Sequence, residues 1–252
     1  MPAPFTDPDA LADAIIAEVG RKIVLGLPLG LGKANHVANA LFRRAAKDPS
    51  ISLHIFTALT LEAPGAKSEL ERRFMGPISE RLLGGYPPLD YAVALHRNAL
   101  PPNVRVDEFF FQAGRWLSNP TAQRSYISAN YTHAAGYLLA RGVNVIAQLV
   151  ARKDGRCSLS CNPDLTLDLL DAREEGRANF LLVGQVNSEL PFMPGACDLA
   201  SDSFSHMLEG NDFPLFAPPK QPISLTEYAI GIHIARLIAD GGTLQIDRKS
   251  VV

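Results

Sequence analysis

The chain has 252 residues, 47% apolar and 20% charged, with 24 Lys and Arg against 26 Asp and Glu for a formal net charge of −2. That balance excludes intrinsic disorder and leaves no electrostatic footprint for nucleic acid. No apolar run approaches the ~20 residues of a membrane helix, the first residues lack a basic-then-apolar leader, and three cysteines without a CxxC spacing argue against a disulfide framework. The expectation is a soluble cytoplasmic protein with no membrane contact, long enough for one domain and part of another.

Asp7 followed by Pro8 predicts an N-cap and a first turn, and Leu11, Ile15, Ile16 and Val19 share one face of a helix that stops at Gly20. A short apolar strand at 23–25 runs into the loop Gly26-Leu-Pro-Leu-Gly-Leu-Gly32. A helix at about 33–46 and a strand at 52–56 follow. Residues 67–83 read as a charged amphipathic helix, interrupted or kinked at Gly76-Pro77, with Glu69 to Arg73 as a solvated face. Residues 105–111 are strand-like by their β-branched and aromatic content, and 131–141 helical with Gly142 as the cap. Residues 143–150 form a continuous apolar strand buried on both faces. Asp154-Gly155 makes a turn, and Cys157, Leu159 and Cys161 alternate along a second strand, with both thiols read as core packing.

A helix at 164–172 precedes a strand at 180–183. Residues 187–222, rich in proline and glycine, read mostly as loop. Ser224-Leu-Thr-Glu227 is a capping box opening an apolar helix to about Ala239, and a strand at 243–246 follows Gly241-Gly242. Alternation of helix and strand implies an α/β fold with a mainly parallel sheet flanked by helices.

The glycine loop is no phosphate-binding P-loop, because Leu27 stands where that pattern needs glycine and Ala34 where it needs Ser or Thr. Its backbone amides could face an anion or oxyanion, or the glycines could serve a tight turn. The six histidines form no HxH or HxxxH pair, so no metal site is expected, and there is no GxSxG elbow. Trp116 reads as buried packing rather than a base-stacking platform.

The helix and strand after residue 223 repeat the order of the first helix and strand, so a second α/β half begins there. The expected division is 1–222 as a first domain, 223–246 as the start of a second, and 247–252 as a non-native tail. A sequencing-adapter string, GATCGGAAGAGCGTCGTG, translates to the Asp-Arg-Lys-Ser-Val-Val of that tail; a natural polar tail is the alternative.

Three stretches together resemble the acetyl-CoA hydrolase/transferase family, which includes acetate and 4-hydroxybutyrate CoA-transferases. They are residues 143–160, with the Asp154-Gly155 turn; residues 180–195, with Val186-Asn187-Ser-Glu-Leu-Pro191-Phe-Met193-Pro-Gly195; and residues 235–246, with Asp240-Gly-Gly-Thr-Leu-Gln245-Ile246. The resemblance spans about residues 10–246 and implies a CoA-transferase-like half. It implies CoA transfer between an acyl-CoA and a small carboxylate, or hydrolysis, through a glutamyl-CoA thioester. Coenzyme A enters as a substrate thioester, with no bound cofactor and no metal. The nucleophilic glutamate belongs to the second half, and none is assigned here. Acetyl-CoA is the default donor, and the full-length protein is expected to be a homo-oligomer.

The resemblance nominates Gln245, which precedes the position of the family's Gly-Ile-Gly loop, as a donor to an acyl oxygen or as a structural strand residue. Asn187 and Met193 would border the cleft, although Ser188 and Pro194 depart from the family's pattern there. Gly26, Pro28 and Gly30 would approach the acyl group. Two other readings compete: a non-catalytic half that pairs with a separately encoded partner, and a phosphosugar-binding α/β domain, for which no basic cluster is visible along the sequence.

Overall fold

In a computed structural model, residues 4–64, 66, 68–112, 114–216 and 222–244 are described. The chain divides into two units, Met1–Phe216 and Ala217–Val252.

The first unit opens with α1 (Pro8–Val19). The Asp7 side chain accepts from the amides of Asp9 at 3.0 Å and Ala10 at 3.3 Å, and Gly20 ends the helix at φ +81°. Next come β1 (Lys22–Gly26), a single 3-10 turn at Gly30–Gly32, α2 (Asn35–Lys47) and β2 (Ser52–Thr57). They are followed by α3 (Glu69–Leu83), α4 (Asp90–His96), β3 (Val104–Glu108), α5 (Pro120–Ser125) and α6 (Tyr131–Ala140). The last group is β4 (Val145–Lys153), β5 (Arg156–Ser158), α7 (Thr166–Glu174), β6 (Leu181–Val186), β7 (Asp198–Ala200) and β8 (His206–Leu208).

Six strands pair in parallel in the order β3-β2-β1-β4-β6-β8, while β5 returns antiparallel to the far end of β4 and β7 pairs antiparallel with β5. The mixed α/β class with a mostly parallel, helix-flanked sheet agrees with the sequence. One apolar layer, around Leu11, Ile15, Val37, Leu41, Ile55 and Tyr91, packs α1, α2 and α4 on one face. A second, around Phe56, Leu138, Ile146, Leu169 and Leu182, packs α6 and α7 on the other. Covered on both sides, β4 is buried from Val145 to Ala151, as its unbroken apolar run requires.

Several expectations need correction. α3 is not interrupted at Gly76-Pro77 but runs from Glu69 to Leu83, and it buries none of its residues. β5 ends at Ser158, and Ser160 turns the chain at φ +57°, so Cys157 is buried but Cys161 is exposed instead of sharing its face. The stretch from residue 187 is mostly loop, as expected, but holds β7 and β8, each three residues long and too short to leave a periodic signal. Residues 243 and 244 are not in a strand, while Gln245, Ile246 and the tail at 247–252 lie outside the described residues.

In the second unit, α8 (Leu225–Ala235) carries the expected capping box: Ser224 N donates to Glu227 Oε2 at 2.6 Å and Glu227 N to Ser224 Oγ at 3.2 Å. The helix stops short of Ala239 and buries none of its residues. No helix among the described residues is long and apolar enough to cross a membrane.

Candidate functional site

From β1 the chain builds outward to β2 and β3, then crosses to β4 on the other side of β1 and continues to β6 and β8. The strand order therefore reverses between β1 and β4, and loops leaving their carboxyl ends diverge around a crevice, the usual ligand position in open α/β sheets. The glycine loop leaves β1 at this point.

Its conformation follows from its glycines. A Cβ on Gly32 would lie 2.5 Å from Asn162 Cβ and one on Gly26 2.6 Å from Ile146 Cδ1, so both allow close approach; Gly30 has φ +50°. Four amides of the turn are used within the chain. Leu27 N donates to Phe56 O at 3.0 Å, Gly30 N to Leu59 O at 3.1 Å and Gly32 N to Leu29 O at 3.0 Å. Leu29 N donates to Asp164 Oδ2 at 3.0 Å. Burial raises the pKa of Asp164, and this backbone donor opposes the rise. The loop thus contributes walls, while its amides hold it in place.

Beneath the loop lies a buried polar bolt. Lys33, fully buried, donates from Nζ to Pro28 O and to Ala58 O, each at 2.6 Å. Burial pushes its ammonium down from the ordinary lysine range, against the pull of the Glu108 and Asp164 charges. Glu108, also buried, is pushed up by burial against the attraction of Lys33. Thr60 donates from Oγ1 to Glu108 Oε1 at 2.7 Å; with that hydrogen spent, the Tyr91 hydroxyl donates to Thr60 across 2.9 Å. Gln148 of β4 accepts from Thr166 Oγ1 at 2.7 Å and donates to Asn162 O at 2.7 Å, and a backbone bridge joins it to Lys33. These residues sit at the strand ends, where the apolar core gives way to polar groups that must all be paired.

The segment leaving β2 divides two pockets. Leu59 holds φ +44°, a strained conformation for leucine costing about 1 kcal/mol, fixed by its amide on Phe110 O at 2.8 Å and its carbonyl beneath Gly30 N. On one side an apolar pocket of about 310 Å³ is lined by Leu29, Leu59, Phe109, Phe110, Ala129, Asn130 and Tyr131. On the other, one of about 270 Å³ has Leu61, Glu62, Leu83, Tyr86, Leu89 and Val93 among its walls. Glu62 Oε2 there pairs with His96 Nε2 at 2.8 Å and Arg115 Nη2 at 3.2 Å. His96 in turn stacks on buried Trp116, with ring centroids 3.9 Å apart.

The structure gathers part of the nominated set. Gly26, Pro28 and Gly30 stand together at the crevice, with Pro28 acting through its carbonyl on Lys33 and on Thr57 Oγ1 at 3.3 Å. Asn187 is fully buried, and its side chain spans Phe213 O at 3.0 Å and Glu189 N at 2.9 Å. Met193 is 44% exposed, in a loop tied by its amide to Ser158 Oγ at 3.1 Å. Gln245 lies outside the described residues. Lys33, Glu108, Asp164 and Gln148 escaped the sequence reading. For Gln148 the signal was present: a glutamine inside an unbroken apolar strand must be buried, and hence bonded.

No protein-family model and no curated protein matches the sequence. Among solved structures, RipA from Yersinia pestis matches with a TM-score of 0.58 and 19% identity, over 94% of this chain and 48% of its own. A 4-hydroxybutyrate CoA-transferase from Porphyromonas gingivalis matches over 96% of this chain and 47% of its own, at 19% identity and a TM-score of 0.45. The chain spans about half the length of RipA. The likeness to RipA is one of fold alone, a mixed α/β fold with a mostly parallel, helix-flanked sheet.

Proposed function

We propose that this chain forms one wall of a cleft in which CoA moves between an acyl-CoA, acetyl-CoA by default, and a small carboxylate or water. In this reading a glutamate of a second α/β half, on a longer polypeptide or a partner subunit, attacks the thioester carbonyl and expels CoA thiolate. The thiolate then opens the mixed anhydride at the glutamyl carbonyl, releasing the first carboxylate and leaving a glutamyl-CoA thioester. An incoming carboxylate or water reverses or discharges it. The described residues contribute apolar walls that exclude water from the acyl group.

The observation that carries the reading is the placement of the glycine loop and the apolar Leu29–Leu59 pocket at the strand-order reversal of a sheet that shares its fold with RipA. A half-subunit that binds without turning over, and pairs with a separately encoded second half, is the alternative. The exposed Leu225, Ile232 and Leu237 of the second unit favour it.

Saturation-transfer NMR with acetyl-CoA tests the proposal. The acetyl and pantetheine protons are expected to receive saturation from the protein, and Phe110→Ala, at a half-exposed pocket wall, is expected to weaken binding about tenfold. No transfer, or transfer indifferent to Phe110, would sink the acyl-CoA reading. Exchange of labelled acetate into acetyl-CoA by this chain alone would refute the assignment of the attacking carboxylate to a second half.

A further inference from the structure

The same sheet carries a second opening at its opposite edge. β1, β2 and β3 run parallel, so Lys22, Ser52 and Val104 begin their strands side by side, far along the strands from the glycine loop. The register sets Lys22 beside Ser52, Val24 beside His54, and His54 beside Arg105. Alternation then puts Lys22, His54, Arg105 and Asp107 on one face. α6 covers that face only to Ala140. Arg141 follows, with its guanidinium over the Phe56 ring at 5.2 Å and its Nε on Asp107 Oδ2 at 3.0 Å.

Below the end of α6 lies a pocket of about 530 Å³, with Lys22, His54, Asn103, Arg105 and Arg141 among its walls. None of its described lining residues is acidic. Asp107 lies beneath it, fully buried, and accepts from His54 Nε2 at 2.9 Å, Arg105 Nε at 2.9 Å and Arg141 Nε at 3.0 Å. One carboxylate therefore positions three bases while offsetting only one of the three fixed charges on Lys22, Arg105 and Arg141. Asp48, near the start of β2, is engaged with Arg21 at 2.6 Å. A concave surface with excess positive charge, the Arg105 fork and the remaining Nη2 of Arg141, whose Nη1 donates to Tyr137 O at 3.1 Å, matches an anion of two charges and several acceptor oxygens.

We propose that this pocket binds a phosphate monoester dianion. The phosphoryl oxygens would meet Arg105, Arg141 and Lys22, and the volume beyond them takes the organic group. The site stands apart from the acyl pocket and does not depend on the function proposed above. Its residues come from β1, β2, β3 and the end of α6, which is why no basic cluster was visible along the sequence.

Calorimetric titration of the full chain with inorganic phosphate, against chloride at matched ionic strength, tests the site. Saturable phosphate binding with a Kd on the order of 1 mM is expected. Lys22→Gln and Arg105→Gln, at exposed side chains, should each weaken it about tenfold. The His54 imidazole resonances should shift on phosphate addition while those of His36 stay still. A hexose phosphate and adenosine monophosphate tell a sugar from a nucleoside as the organic group, and tighter binding of either supports the site. Absence of saturable binding by all three, or affinity unchanged in both variants, overturns it.

Discussion

Lys33 donates to the carbonyl of Pro28 at 2.6 Å, so a fully buried ammonium ties the loop leaving β1 to the strand ends beneath it. The same ammonium holds Ala58 O, next to the strained Leu59, and thereby locks both segments that frame the apolar pocket. Lys33→Met keeps the stem but strands the Ala58 carbonyl, leaves Pro28 O with Thr57 Oγ1 alone and Glu108 without its countercharge. A loss of about 3 kcal/mol is expected from urea unfolding. The double variant with Glu108→Gln should recover part of it, because no uncompensated buried charge remains; additive losses in the mutant cycle would show that the two groups do not interact.

Gly32, Gly26 and Gly30 are glycines for different reasons, and their alanine variants should rank accordingly. At Gly32 the new methyl meets Asn162 Cβ at 2.5 Å and Pro28 Cβ at 3.0 Å, atoms close to backbone that cannot swing away, for an expected loss of about 2–3 kcal/mol. At Gly26 it meets the tip of Ile146, which can rotate, and about 1 kcal/mol is expected. At Gly30 nothing lies within 4 Å and only the positive φ matters, again about 1 kcal/mol. Thermal melts distinguish the order, and equal losses at all three would contradict the packing of the loop on the turn at Asn162.

Asp107 gives the protein an acid limb. Burial alone would raise its pKa, but hydrogen bonds from His54 and Arg105 outweigh burial and hold the carboxyl down at about 2. In the unfolded chain it titrates near ~3.9, so as pH falls the unfolded state takes up the proton first. Its contribution is whole above pH ~4 and is lost as pH falls towards 2. Asp107→Asn should destabilise at pH 7 by about 2–3 kcal/mol, and the gap from the parent should narrow between pH ~4 and 2 in urea titrations. A gap independent of pH would mean that the carboxylate charge is not what the three bases hold.

Much of the architecture was legible because it rests on local chemistry: the Asp7-Pro8 and Ser224-Glu227 caps, and the Asp154-Gly155 turn, where both residues take positive φ. The buried run of β4 could be read from its apolar side chains alone. β7 and β8 could not, since three residues carry no period and their conformation comes from pairing with β5 and β6. The short α4 escaped for a similar reason: its first turn is set by distant contacts, Asp90 N on Asn39 Oδ1 at 2.8 Å and Asn39 Nδ2 on Pro88 O at 2.8 Å. The glycine loop was visible, but the lysine bolting it down was not. Lys33 adjoins the glycines, and nothing in composition distinguishes a buried lysine from a solvated one.

Asn187 and Met193 entered together as residues bordering a cleft, and the structure gives them opposite environments. Asn187 lies buried at the end of β6 and uses its amide on Phe213 O and its carbonyl on Glu189 N, fixing the segments that follow β6 and β8. Alanine there leaves both partners unbonded, and a loss of about 2–3 kcal/mol in urea is expected. Met193 projects into solvent, so Met193→Ala should stay within about 0.5 kcal/mol of the parent. That stability makes Met193 the cleaner probe of ligand contact. If it borders the acyl-CoA, its alanine variant should lower saturation transfer to acetyl-CoA at an unchanged melting temperature. Transfer equal to the parent's would remove Met193 from the cleft, while a shifted melting temperature would show that its half-buried stem supports the Ser158 turn instead.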